Sequence, residues 1–150
     1  MRHLWLVLHL LGFTMWLGGG LSAMFVGLAS KREARDRLST AMRMLAAIYQ
    51  ALVLPGSLLA VVSGLVLTLM MYGGPTVAGV SHWLMAMQGL GLAAAVITLV
   101  VLVPGAGKLV RVDPVAQAEL FDALRKKQAR FGMISGLLGL LALVAGGMGR

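Results

Sequence analysis

Residues 44–107 read "MLAAIYQALVLPGSLLAVVSGLVLTLMMYGGPTVAGVSHWLMAMQGLGLAAAVITLVVLVPGAG", and they contain no Asp, Glu, Lys or Arg. An α-helix needs about 20 apolar residues to cross about 30 Å of hydrocarbon. A run this long without a formal charge therefore holds two crossings. The stretch "YGGPTVAGVS" (72–81), rich in glycine and carrying a proline, is the turn between them. Working outward, one further apolar stretch lies on each side, so the chain reads as an all-α, polytopic bundle with four crossings. They fall near 4–29, 41–72, 82–104 and 130–148, in a single transmembrane domain over 1–150.

Composition agrees. The chain has 150 residues, 59% of them hydrophobic and 12% charged, whereas a soluble domain carries about 25% charged residues. A lipid bilayer must cover what polar side chains cannot. With no cysteine there is neither disulfide nor thiolate chemistry. The net charge of +8 would suggest nucleic acid in a soluble protein. Here no nucleic-acid partner is expected, because the charge sorts by topology. Lys31, Arg32, Arg35, Arg37 and Arg43 lie between the first two spans, and Lys108, Arg111, Arg125, Lys126, Lys127 and Arg130 between the last two. Only Arg2 and Arg150 flank the other end. The positive-inside rule puts both basic loops in the cytoplasm and both termini outside, with Trp5, Tyr72 and Trp83 as an outer aromatic belt. A cleaved signal carries its charge before the apolar run. Here the strong charge follows it, so the first span is expected to be permanent and not a cleaved signal.

Within "DPVAQAELFDALRKKQARF", Asp113 is a candidate N-cap and Pro114 a first helical residue. Ala118, Phe121, Leu124 and Ala129 give an apolar face, so an amphipathic cytoplasmic helix is expected to run into the fourth span and rest on anionic lipid. Pro55 lacks the N–H that would reach the carbonyl of Ala51, which predicts a kink in the second span.

Histidine is the only side chain in the apolar runs whose ordinary pKa lies near neutral pH. On a helix His9, Gly12, Trp16, Gly19, Ala23 and Gly27 share one stripe, and small residues mark helix contacts. His9 is therefore expected to face the bundle, roughly 8 Å below the outer boundary at 1.5 Å per residue. In the third span His82, Ala86, Gly89 and Ala93 suggest the same arrangement. Two imidazoles from separate helices at similar depth would suit the two faces of a haem b iron, with Gly12 and Trp16 as pocket wall and Arg2 and His3 near the propionates. Met15, Met70, Met71, Met85 and Met87, together with His3, His9 and His82, form the alternative, a soft-ligand set for copper(I). The bland reading is that His9 only bonds a neighbouring helix, through Ser57, Ser63, Gln88 or a carbonyl. No catalytic constellation, phosphate loop or intramembrane carboxylate is present, which leaves enzymatic activity open.

The pattern His9-x-x-Gly12-x-x-x-Trp16-x-x-Gly19 resembles the first helix of small bacterial membrane proteins related to HemJ-type protoporphyrinogen oxidase and the CopD copper-resistance domain. The "RMLAAIYQALVLPGSLLAVVSGL" segment is similar too, and "VLVPGAGKLVR" looks like uncharacterised four-helix members of that group. The resemblance implies a bacterial inner-membrane protein with His9 as haem ligand and His82, Met85 or Met87 as second ligand. Through CopD it implies copper as the alternative. The oxidases' essential third-helix cation follows a Trp-Leu-His pattern and would fall near Met87, after Trp83 and Leu84. This chain has no charge there, which argues against oxidase activity. Expected partners are the bilayer and a second copy or membrane subunit. A non-catalytic scaffold is the remaining alternative.

Overall fold

The computed structural model describes residues 1–72 and 81–148. Most of the uncharged turn, the Tyr72 ring and Arg150 lie outside the described residues. Helix α1 spans Arg2–Ala29, α2 Leu38–Ile48, α3 Leu54–Tyr72, α4 His82–Ile97, α5 Val103–Arg111 and α6 Ala118–Met148. Two single π turns, Tyr49–Val53 and Thr98–Leu102, join α2 to α3 and α4 to α5. The described residues thus form four long rods, each long and apolar enough to cross a membrane. This is the build of an integral membrane protein.

Both π turns have the same cause. Each lies just ahead of a proline: Pro55 in "LPG" and Pro104 in "VPG". A proline in a helix withholds one N–H and crowds the preceding turn. Here the ladder widens to an i→i−5 bond, with the Leu54 N–H donating to the Tyr49 carbonyl and the Val103 N–H to the Thr98 carbonyl. The expected disturbance at Pro55 is therefore a one-turn bulge. The matching one at Pro104 was not foreseen.

The rods associate as two tight pairs, α1 with α3 and α4 with α6, joined by lighter contacts of α1 with α6, α2 with α5 and α3 with α4. Between apolar helices in lipid, close backbone approach and interhelical hydrogen bonds do the joining. The α1 stripe behaves as its pattern predicts: Gly12, Trp16, Gly19 and Ala23 are buried. A Cβ added at Gly12 would lie 2.6 Å from the Ala60 N and 2.9 Å from the Gly56 O, so here backbone meets backbone.

The α4 stripe does not follow its pattern. His82, Ala86, Gly89 and Ala93 are exposed, while Ala94, Ala95, Thr98 and Leu102 are buried. Small residues occur on both faces of α4, so they could not mark the inward one.

A polar relay crosses the middle of the bundle. The Trp16 Nε1–H donates to the Thr98 Oγ1 (3.2 Å), and the Thr98 hydroxyl donates to the Ala94 carbonyl (2.8 Å). The Ser135 hydroxyl lies 3.0 Å from the Thr98 Oγ1 and 3.2 Å from the same carbonyl. Interhelical hydrogen bonds in membranes average about 0.6 kcal/mol and reach about 1.7. Trp16→Phe should cost an amount in that range, because Thr98 keeps Ser135. Thr98→Val should cost more, since it removes both the acceptor of the Trp16 N–H and the contact with Ser135. Reversible unfolding in mixed micelles measures both.

At the basic end Leu38, Met42, Leu109 and Phe121 close a second small core. Regular helix begins at Ala118 rather than Pro114. Asp113 instead caps a separate turn, its Oδ1 accepting from the Val115 and Ala116 N–H groups at 2.7 and 3.1 Å. Those two donors hold the exposed Asp113 carboxyl below its usual pKa. Phe121 is fully buried on the expected apolar face, but Ala129 is exposed and Gln128 is buried beside it. Arg125 donates to the Ser30 Oγ (2.8 Å) and the Gly27 carbonyl (3.3 Å), where α1 ends. A cation placed there satisfies the free carbonyls of a helix C-terminus.

Candidate functional site

At the end of the bundle that carries Met1 and Met148, a cavity of about 690 Å³ opens among all four rods. Helix α1 contributes His9, Phe13 and Trp16. Helix α3 contributes Ala60, Gly64 and Thr68, α4 contributes Met85, Met87 and Gln88, and α6 contributes Ala142 and Gly146. Leu10, Leu65 and Leu92 line it while more than half exposed, so the cavity communicates with the outer surface of the bundle. Its size lies within the 300–1,000 Å³ typical of small-molecule sites, whose walls are mostly apolar with a few placed polar groups.

His9 is the most specific of those polar groups. Its Nδ1 lies 2.8 Å from the Ala60 carbonyl. A carbonyl only accepts, so Nδ1 carries the proton and Nε2 is left with the lone pair. The Ser63 hydroxyl, 3.3 Å from Nδ1, donates to the Leu59 carbonyl at 2.5 Å and leaves that assignment intact. Among the described residues Nε2 has no hydrogen-bond partner. The backbone carbonyl thus fixes tautomer and ring orientation together, the arrangement typical of a metal-ligating histidine.

The room for the ring comes from Gly64. A Cβ there would lie 3.0 Å from the His9 Cε1 and 3.2 Å from Nδ1. Sequence reasoning missed Gly64. Its signal was spacing: Ala60 and Gly64 are one turn apart, and together they accept the ring's proton and leave its space.

The other expected site residues divide. Trp16, Met85 and Met87 are on the cavity wall. Met87 is packed inward, its Sδ 2.7 Å from where a Cβ at Gly146 would be. Met85 is half exposed. Gly12 does not line the cavity; it is taken up by the α1–α3 crossing. His82 does not line it either. It occupies the first position of α4 and is exposed, so the structure does not bring it onto the cavity with His9. Arg2 and His3 are likewise exposed and off the wall. Met15, Met70 and Met71 also lie outside it, which breaks up most of the soft-ligand set. No group of three or more His, Asp or Glu that would hold a metal occurs among the described residues.

Gln88 adds a further polar contact. Its Nε2 donates to the Thr68 Oγ1, and the Thr68 hydroxyl donates to the Gly64 carbonyl at 3.0 Å. The relay ties α4 to α3 across the cavity wall and ends on Gly64, the residue that makes room for the His9 ring.

The fold and site define a four-crossing helical membrane protein with one oriented imidazole in an apolar cavity. Neither a family model, nor a curated protein, nor a solved structure matches the chain.

Proposed function

We propose that the protein binds haem b in the cavity near Met1 and Met148, where His9 Nε2 would hold its iron, and serves electron transfer or haem handling. The observation that carries this reading is the Nδ1–H···O=C bond from His9 to Ala60, made beside a mostly apolar space of about 690 Å³. The residues present fit such a group. One imidazole is fixed with its free nitrogen available, the Met87 thioether is the second-ligand candidate, and Trp16 and Phe13 supply flat apolar wall. Bound haem would supply a one-electron couple. The chain's own residues orient the ligand nitrogen and keep the surroundings apolar, the two levers a protein uses to tune such a centre. The resemblance of the His9–Gly19 pattern to the HemJ and CopD group supports the same reading. The absence of charge at Met87 speaks against protoporphyrinogen oxidation.

Volume favours haem over copper. His9, Met85 and Met87 are soft enough for copper(I), but the cavity is far larger than one ion needs. The distribution of Lys and Arg supports an inner-membrane placement with both termini outside. Gly18, Gly20 and Gly136 would meet nothing with an added Cβ, so these faces are open to a second copy or a membrane subunit.

The test is the visible spectrum of protein purified from haem-supplemented cells. A Soret band is expected, lost in His9→Ala and retained in His82→Ala. A colourless wild-type protein, or a band indifferent to His9, overturns the reading. Stoichiometric copper with no haem would support the copper alternative, and a cofactor-free protein that co-purifies with a stable partner would support a scaffold.

A further inference from the structure

A second hollow, of about 400 Å³, lies at the opposite end of the bundle, between the exit of α1 and the start of α2. Its two walls carry the same gradient. On one side Val26 and Ala29 occupy the last turn of α1, and Glu33 lies just beyond it. On the other, Arg37 is the residue before α2, and Ala41 and Met44 follow one and two turns in. Both walls are charged toward the loop and apolar toward the middle of the bundle. Met44 is 58% exposed, so the apolar end is open at the side of the rod.

The charges at the mouth are unused. Neither Glu33 nor Arg37 makes an ion pair or a side-chain hydrogen bond among the described residues, although they flank the same hollow. The only ion pair among those residues joins Arg35 to Asp122 at 2.9 Å, and the Arg35 guanidinium also donates to the Pro114 carbonyl. The Ser30 hydroxyl, in the wall, is occupied with Gly27 and Arg125. The hollow thus offers one guanidinium, one carboxylate and the Thr40 hydroxyl above an apolar slot.

We propose that this hollow binds a glycerophospholipid whose head group carries both a phosphate and a primary ammonium. The phosphate meets Arg37 and Thr40, the ammonium meets Glu33, and one acyl chain follows Ala29, Ala41 and Met44 into the bilayer. A guanidinium is suited to phosphate and a carboxylate to an N–H-bearing cation. A head group with net negative charge would gain Arg37 but meet the Glu33 carboxylate unfavourably. A trimethylated ammonium has no N–H to give it. The lipid's own amphiphilic order matches that of the walls, polar at the boundary and apolar within. This site depends on neither the larger cavity nor its cofactor.

The purified protein is delipidated in detergent and offered mixed micelles of phosphatidylethanolamine, phosphatidylglycerol or phosphatidylcholine, and bound lipid is counted by native mass spectrometry. Wild type should retain the ethanolamine lipid about tenfold better than the other two, the factor expected from one added charge-assisted contact. Glu33→Gln should abolish that preference while phosphate-dependent retention continues, and Arg37→Gln should lose retention of all three. Arg32→Gln, outside the hollow, should change neither. Equal retention of the three lipids by wild type, or a preference unaltered by Glu33→Gln, overturns the proposal. So does a preference for the glycerol lipid, which would make this end a general anion-binding surface.

Discussion

Gly56→Leu should abolish the folded bundle, and Gly56→Ala should already cost at least the upper end of the ~1–3 kcal/mol typical of overpacking. A Cβ at this position would lie 2.7 Å from the Trp16 N, 2.9 Å from the Gly12 O and 2.9 Å from the Met15 Cβ. Two of those three atoms are backbone, so no rotamer change relieves the clash, and α1 must move away from α3. That displacement would also strain the Trp16–Thr98 bond, which starts from the side chain of that same Trp16. Gly12→Ala should behave alike, with the Ala60 N at 2.6 Å. Gly18→Ala and Gly136→Ala, where an added Cβ meets nothing, should stay within ~0.5 kcal/mol of wild type. Unfolding in mixed micelles and the folded fraction recovered from membranes distinguish the two groups.

Gly64→Val should remove the cofactor while keeping its ligand residue. A Cβ alone comes within 3.0 Å of the His9 ring, and the two added methyls need the ring's own space. The imidazole must swing off the Ala60 carbonyl and so lose both the fixed tautomer and the direction of Nε2. Loss of such an orienting contact typically lowers metal affinity 10–100-fold, and the Soret intensity per protein should fall accordingly. Gly89→Ala also lies on the cavity wall but has open space around it, and should leave the spectrum unchanged. If Gly64→Val retained a wild-type band, the His9–Ala60 contact would have no part in ligation.

These two glycines show what was legible in the chain beforehand. The two middle crossings could be read from the missing charges between Arg43 and Lys108, and the outer two from the apolar runs on either side, because burying an ion in hydrocarbon is costly enough to keep such runs clean. The inward face of α1 could be read because small residues and Trp16 coincide on a single stripe. On α4 small residues occur on both sides, and His82 and Ala86 are exposed. Lipid and protein interior are equally apolar, so periodicity alone does not say which side of such a helix is buried. Which helix a small residue meets is a matter of tertiary pairing. Hence Gly12 was expected at the pocket but belongs to the α1–α3 crossing, while Gly64, which makes room for the imidazole, was unmarked. The bonds from Gln88 to Thr68 and from Trp16 to Thr98 join residues 20 and 82 positions apart and leave no local trace.

Gln128 ties α6 to the second π turn. Its Nε2 donates to the Leu102 carbonyl at 3.0 Å, and its Oε1 occupies the space that Gly105 leaves open. Leu102 ends that turn, while the hydroxyl of Tyr49, which begins the first π turn, lies 3.8 Å from where a Cβ at Gly132 would be. Both neighbours are on α6, the fourth rod in chain order. Until α6 inserts, the Leu102 carbonyl lacks its Gln128 donor and Thr98 lacks Ser135, and polar groups short of partners are costly in hydrocarbon. Arrival of the fourth rod therefore helps commit the other three, and a chain stalled before residue 118 would be left as an open, recognisable target for membrane quality control.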